Sequence, residues 1–144
     1  MIKKFLYRYK IKKEIKNLKK EHKEIIKYYK KIVEYYENKK YKKVLNLLYE
    51  FETTYKLHIK KEMTFYKVIK KRNNLNFLKK PKKLKLNDIS KEIQIFLYNY
   101  KSIKKIKSDN FLKELKNIKK LLEKRFIFEE KEIYRKYIKR LKKN

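Results

Sequence analysis

The chain has no glycine, cysteine, tryptophan or alanine, and its only proline is Pro81. Each absence excludes something. A phosphate-cradling loop needs the backbone freedom of glycine, so no such loop is available here. Without cysteine there is no disulfide framework, no thiol nucleophile and no thiolate metal site. No apolar run approaches the roughly 18 residues of a membrane span. The basic start from Met1 to Tyr7 is interrupted by Arg8, Lys10, Lys12 and Lys13 before a signal-peptide core forms. The expectation is a soluble, cytoplasmic protein with no membrane partner.

What is present is chiefly lysine. The 144 residues include 47 Lys and Arg against 16 Asp and Glu, a formal charge of +31, yet only five of the basic residues are arginine. Lysine, isoleucine, asparagine, tyrosine and phenylalanine have A/T-rich codons, so an A/T-rich genome accounts for this composition before any function does. Much of the lysine is then a solvated coat. Self-repulsion on this scale must be screened, and low salt should destabilise the fold. Non-specific attachment to nucleic acid at low salt is expected, with lysines on phosphates and some of the 14 tyrosines stacking on unpaired bases. The basic residues nevertheless cover every segment and form no single stripe.

Apolar residues recur at steps of three and four almost from end to end. The first stripe is Ile11, Ile15, Leu18, His22, Ile25, Tyr29, Ile32 and Tyr36; the second is Val44, Leu48, Phe51, Tyr55, His58, Glu62, Phe65 and Ile69. A third runs through Ile89, Ile93, Phe96, Tyr100 and Ile103, and a fourth through Phe111, Leu115, Ile118, Leu122, Arg125, Glu129 and Ile133. The spacing predicts helices near 2–37, 42–71, 89–107 and 110–141 in one domain over 1–144. The linker is 72–88, and Asn87 or Asp88 is the expected N-cap of the third helix. No strand alternation is present. The fold class expected is all-α, an up-down-up-down four-helix bundle.

The stripes carry polar residues inward: His22, His58, Glu62, Arg125 and Glu129. Burying such groups unpaired costs several kcal/mol each, so they are expected to meet one another as a buried polar cluster. Three serines of the third segment lie far in sequence from both histidines, and adjacent carboxylates such as Glu129 and Glu130 are expected to point apart. No catalytic residues are identified, and the chain reads as a non-enzyme.

Glu21-His22 and His58-Ile59-Lys60-Lys61-Glu62 resemble the pattern of hemerythrin-like (HHE) four-helix bundles, with Ile93 and Arg125 standing where the second half of that pattern has histidines. Offsets of 71 residues from His22 to Ile93 and 67 from His58 to Arg125 suit a duplicated helical hairpin. The run from Leu122 to Ile133, with Arg125-Phe126 and Glu129-Glu130, resembles the C-terminal helix of the regulator of sigma D (Rsd/AlgQ) family. That narrower resemblance implies a non-catalytic regulator, an anti-sigma factor acting in transcription regulation. Its protein partner would be the primary sigma factor of RNA polymerase, with no metal bound and Arg125 bridging Glu62 and Glu129 in place of a metal charge. Glu34, Glu37, Glu50, Glu52, Glu129 and Glu130 are the acidic candidates for such a contact. The alternative is a hemerythrin-like protein binding iron or oxygen, whose surviving ligands are His22, His58, Glu62 and Glu129. A basic nucleic-acid-binding helical protein is the third reading.

Overall fold

The computed structural model describes residues 2–73 and 86–143, and among them every regular element is helical. Helix α1 spans Ile2–Glu37, α2 Tyr41–Asn73, α3 Leu86–Asn99 and the short α4 Ile103–Ile106. Helix α5, Phe111–Phe128, runs on through a π-helical segment, Glu129–Tyr134, into α6, Arg135–Lys143. Most of the linker expected at 72–88, including Pro81, lies outside the described residues.

The turn between α1 and α2 shows the cost of lacking glycine. Lys39 takes φ 58°, the left-handed conformation that glycine normally supplies at a helix C-terminus. The amide of Lys40 bonds Tyr35 O at 2.9 Å and that of Lys39 bonds Tyr36 O at 3.0 Å, the paired closure of a Schellman motif. A side chain in that conformation costs about 1 kcal/mol or more. Lys39→Gly is therefore expected to raise the unfolding free energy by about 1 kcal/mol, read as a higher urea midpoint at unchanged slope.

Two expected boundaries are corrected. The third helix ends at Asn99, not near 107, because the chain breaks at Tyr100–Ser102. Ser102 is extended and its hydroxyl accepts from the Lys105 amide, starting α4 afresh. That break exchanges the expected core residue Ile103, which is exposed, for Ile106, which is buried. Asn87 and Asp88 do not cap α3, which already begins at Leu86; Asp88 sits in its first turn, where a carboxylate suits the helix dipole.

The inner stripes pack into two apolar clusters. One holds Ile25, Ile32, Val44, Leu48, Phe96 and Phe111 with their neighbours. The other holds Ile15, Leu18, Phe65, Ile69, Tyr134 and Tyr137. Between them, in sequence and in space, lies a layer of buried polar side chains.

Candidate metal centre

All five inward polar residues are buried: His22 is 2% exposed, His58 1%, Glu62 0%, Arg125 6% and Glu129 0%. Helix α1 presents His22, α2 presents His58 and Glu62 one turn apart, and the α5–π junction presents Arg125 and Glu129. The two imidazoles meet edge to face with centroids 4.7 Å apart, and His22 lies flat on Phe126 at 3.9 Å. These packed rings fix both imidazole planes.

The hydrogen bonds fix the protons. His58 Nδ1 is 2.8 Å from Glu21 Oε1, and His22 Nδ1 is 2.9 Å from Glu130 Oε2. A carboxylate only accepts, so each Nδ1 carries a hydrogen and each ring turns its Nε2 inward. Those nitrogens face further carboxylate oxygens. His22 Nε2 lies 3.6 Å from Glu62 Oε1 and 3.7 Å from Glu129 Oε1, while His58 Nε2 pairs with Glu62 Oε1. His22 Nε2, His58 Nε2 and Glu62 Oε1 are all buried without a hydrogen bond of acceptable geometry.

The outer carboxylate oxygens are held from behind. Tyr66 donates to Glu62 Oε2 at 2.9 Å and faces Glu129 Oε2 at 2.5 Å. Burial and the Glu62 charge push the Tyr66 phenol well above its ordinary pKa, so it stays a donor. Arg125 reaches Glu129 Oε1 through Nε at 3.4 Å, and its Nη1 bonds Ser90 Oγ at 2.5 Å and Tyr55 at 3.5 Å.

One donor atom from each of His22, His58, Glu62 and Glu129 lies within 4.8 Å of the others, a group able to hold a metal ion. Tetrahedral ligands about 2.0–2.1 Å from a cation stand about 3.4 Å apart, close to the His22–carboxylate separations, while the closer His58 Nε2–Glu62 Oε1 pair would have to open to admit an ion. The residues fit a cation on a second count: carboxylates behind both histidines fix tautomer and ring orientation as the outer partners of metal sites do.

Glu129 and Glu130 point in different directions, as expected, yet both meet the same ring, Glu129 Oε1 lying 3.7 Å from Nε2 and Glu130 Oε2 2.9 Å from Nδ1. The π turn begins at Glu129, and its i→i+5 closure appears in the Arg135 amide bonding Glu130 O. It widens the helix and changes the angle between adjacent side chains. Sequence reasoning missed Glu130, Glu21 as the partner of His58, and Tyr66. For Tyr66 a signal existed, since it stands one turn after Glu62.

In the metal-free protein a second proton on His58 is the other way to satisfy its inward nitrogen, which makes stability pH-dependent. Burial alone would raise Glu62, but the facing His22 and His58 nitrogens and the charges of His58 and Arg125 hold its pKa at about 2. Its contribution is complete above the ordinary 4.5 and is lost as pH falls toward 2. Burial opposes charge on His58, yet Glu62 and Glu21 hold its pKa above 6.5, so its contribution is complete below 6.5 and lost as pH rises through the folded value. Urea midpoints of the metal-free protein should therefore peak between pH 4.5 and 6.5 and fall on both sides.

No protein-family model, curated protein or solved structure matches the chain.

Proposed function

We propose that the protein is a metal-binding four-helix bundle that holds a first-row transition cation on His22, His58, Glu62 and Glu129. The observation that carries this reading is the convergence of two imidazole Nε2 atoms on carboxylate oxygens, all buried, with His22 Nε2, His58 Nε2 and Glu62 Oε1 lacking a hydrogen bond of acceptable geometry. Buried acceptors that face one another repel unless a proton or a metal cation stands between them, and one metal ion satisfies all four ligand atoms at once. Two imidazoles with two carboxylates suit zinc or ferrous ion better than magnesium or calcium, which take all-oxygen sets. A bound ion polarises whatever else reaches it; Glu21 and Glu130 orient the imidazoles and Tyr66 orients the carboxylates.

The up-down-up-down arrangement is part of the proposal. Contacts between α1 and α2 pair Tyr36 with Tyr41, Tyr28 with Phe51 and His22 with His58, stepping in opposite directions. Those between α1 and the last helix pair Tyr36 with Phe111, His22 with Phe126 and Tyr7 with Tyr137, again in opposite directions. This is the layout in which bundle helices aim ligands at a shared centre.

Sigma-factor binding is a separate proposal, carried by the 122–133 resemblance alone. Its acidic contact surface is weakened by burial and pairing: Glu129 is fully buried, Glu130 serves His22, and Glu52 is tied to Lys56 and Lys101. No helix among the described residues is long and apolar enough to cross a membrane.

Equilibrium dialysis of the metal-freed protein against zinc tests the reading. Retention of zinc at physiological salt is expected, with loss of that retention in His58→Ala. Tyr66→Phe should weaken affinity about 10–100-fold, the usual effect of removing an outer partner. Failure of the parent protein to retain zinc, ferrous ion or cobalt would refute the assignment.

A further inference from the structure

The cluster presents two histidines and two carboxylates, together with a guanidinium against one of the carboxylates. Carboxylate-bridged metal pairs on bundle helices use about four carboxylates and two histidines. Here the other two carboxylates near the centre are already engaged on the far side of the rings, Glu21 on His58 Nδ1 and Glu130 on His22 Nδ1. Among the described side chains of α3, Ser90 reaches the layer, and it accepts from Arg125.

From this geometry we infer that the site takes a single divalent cation, with Arg125 as a built-in positive charge standing where a second ion would otherwise be needed. The inference rests on the transition-metal reading above. Two facing carboxylates bring a charge of −2, which one divalent ion cancels. With that ion bound, the guanidinium, buried and 3.4 Å from Glu129 Oε1, leaves Glu62, Glu129, Arg125 and the ion together at +1. A second divalent ion would add two more charges where water is excluded, with no unclaimed carboxylate in the cluster to balance them. The carboxylate orientation agrees. The Tyr66 hydroxyl lies against Oε2 of both Glu62 and Glu129, with the Oε1 atoms turned toward the imidazoles, an orientation suited to one ion beside the two Nε2 atoms.

Arg125 is thus a positioning residue with an electrostatic cost. It orients Glu129, and its charge repels the ion it helps to site. Removing the charge while keeping an amide able to bond Glu129 should tighten binding of a divalent ion.

Cobalt titration of the metal-freed full chain, followed by absorption and by elemental analysis after dialysis, tests this directly. One cobalt per chain is expected, with a single set of bands saturating at equivalence. Arg125→Gln should keep one per chain and bind about tenfold more tightly or better, a minimum for removing a like charge at this range. Arg125→Lys, which keeps the charge and gives a reading if the glutamine variant fails to fold, should stay at one per chain with affinity within about threefold of the parent. Two ions per chain in the parent would overturn the inference while leaving the metal reading standing. No ion at all would overturn both. Unchanged or weaker binding by a folded Arg125→Gln would overturn the role given to Arg125.

Discussion

Zinc at 1,000 times its dissociation constant is expected to stabilise the protein by about 4 kcal/mol, because an ion bound to the folded state alone adds RT ln(1 + [L]/Kd). For a chain of 144 residues, one kcal/mol moves the melting temperature by roughly 3 °C, so a rise of roughly 12 °C is expected. The comparison is the metal-freed protein at the same pH and salt. Glu62→Leu should abolish the rise, since it removes the carboxylate shared by both imidazoles. The pH optimum should change as well. Bound zinc takes the His58 lone pair that a proton occupies in the metal-free form, so the loss of stability above pH 6.5 should disappear on loading.

The second large effect belongs to Arg125. Its guanidinium is 6% exposed, and the carboxylate it meets, Glu129, is fully buried. Breaking a buried pair by removing one partner costs about 3–5 kcal/mol, because the remaining charge is left without compensation. Arg125→Met in the metal-free protein is expected to lose that much, measured by urea unfolding. Zinc should restore part of the loss by supplying the missing positive charge. A variant that melts like the parent would mean that Glu129 is not ionised in the folded state.

The apolar stripes were legible because helix period and burial are the same information. Ile11, Ile15, Leu18, Val44, Leu48, Leu115, Ile118 and Leu122 are buried where their spacing places them. The five polar residues on those stripes were legible for the same reason. Tyr29 and Tyr36, on the same first stripe, are only partly buried. What the sequence did not reveal depends on register and on contacts between helices. One extra residue in the π turn carries no compositional mark, and past it the period-based reading stops at Ile133 and misses Tyr134, Tyr137 and Leu141. Glu130 reaches His22 through that same turn. Glu21 was visible only as the neighbour of His22, whereas its bond runs across to His58 on α2. The early end of α3 escaped notice because Tyr100 and Ile103 continue the spacing, while the Ser102 cap that starts α4 after the break acts through a local hydrogen bond.

The polar layer also explains an apparent waste of stability. Two apolar clusters meet it from either side, and filling it with apolar residues would join them into one core. Replacing a buried ionic group by packed apolar residues is often neutral or stabilising. A chain whose composition is dominated by a few residue types still places both of its histidines and one of its five arginines in this layer. The cation binding proposed above would make that arrangement favourable.

The most direct measurement is anomalous diffraction at the zinc edge from crystals of the zinc-loaded protein. The account predicts one peak, about 2.0–2.2 Å from His22 Nε2, His58 Nε2 and an oxygen of each of Glu62 and Glu129. It would be contradicted by loaded crystals with no peak at that position and the histidine nitrogens bonded directly to the carboxylates.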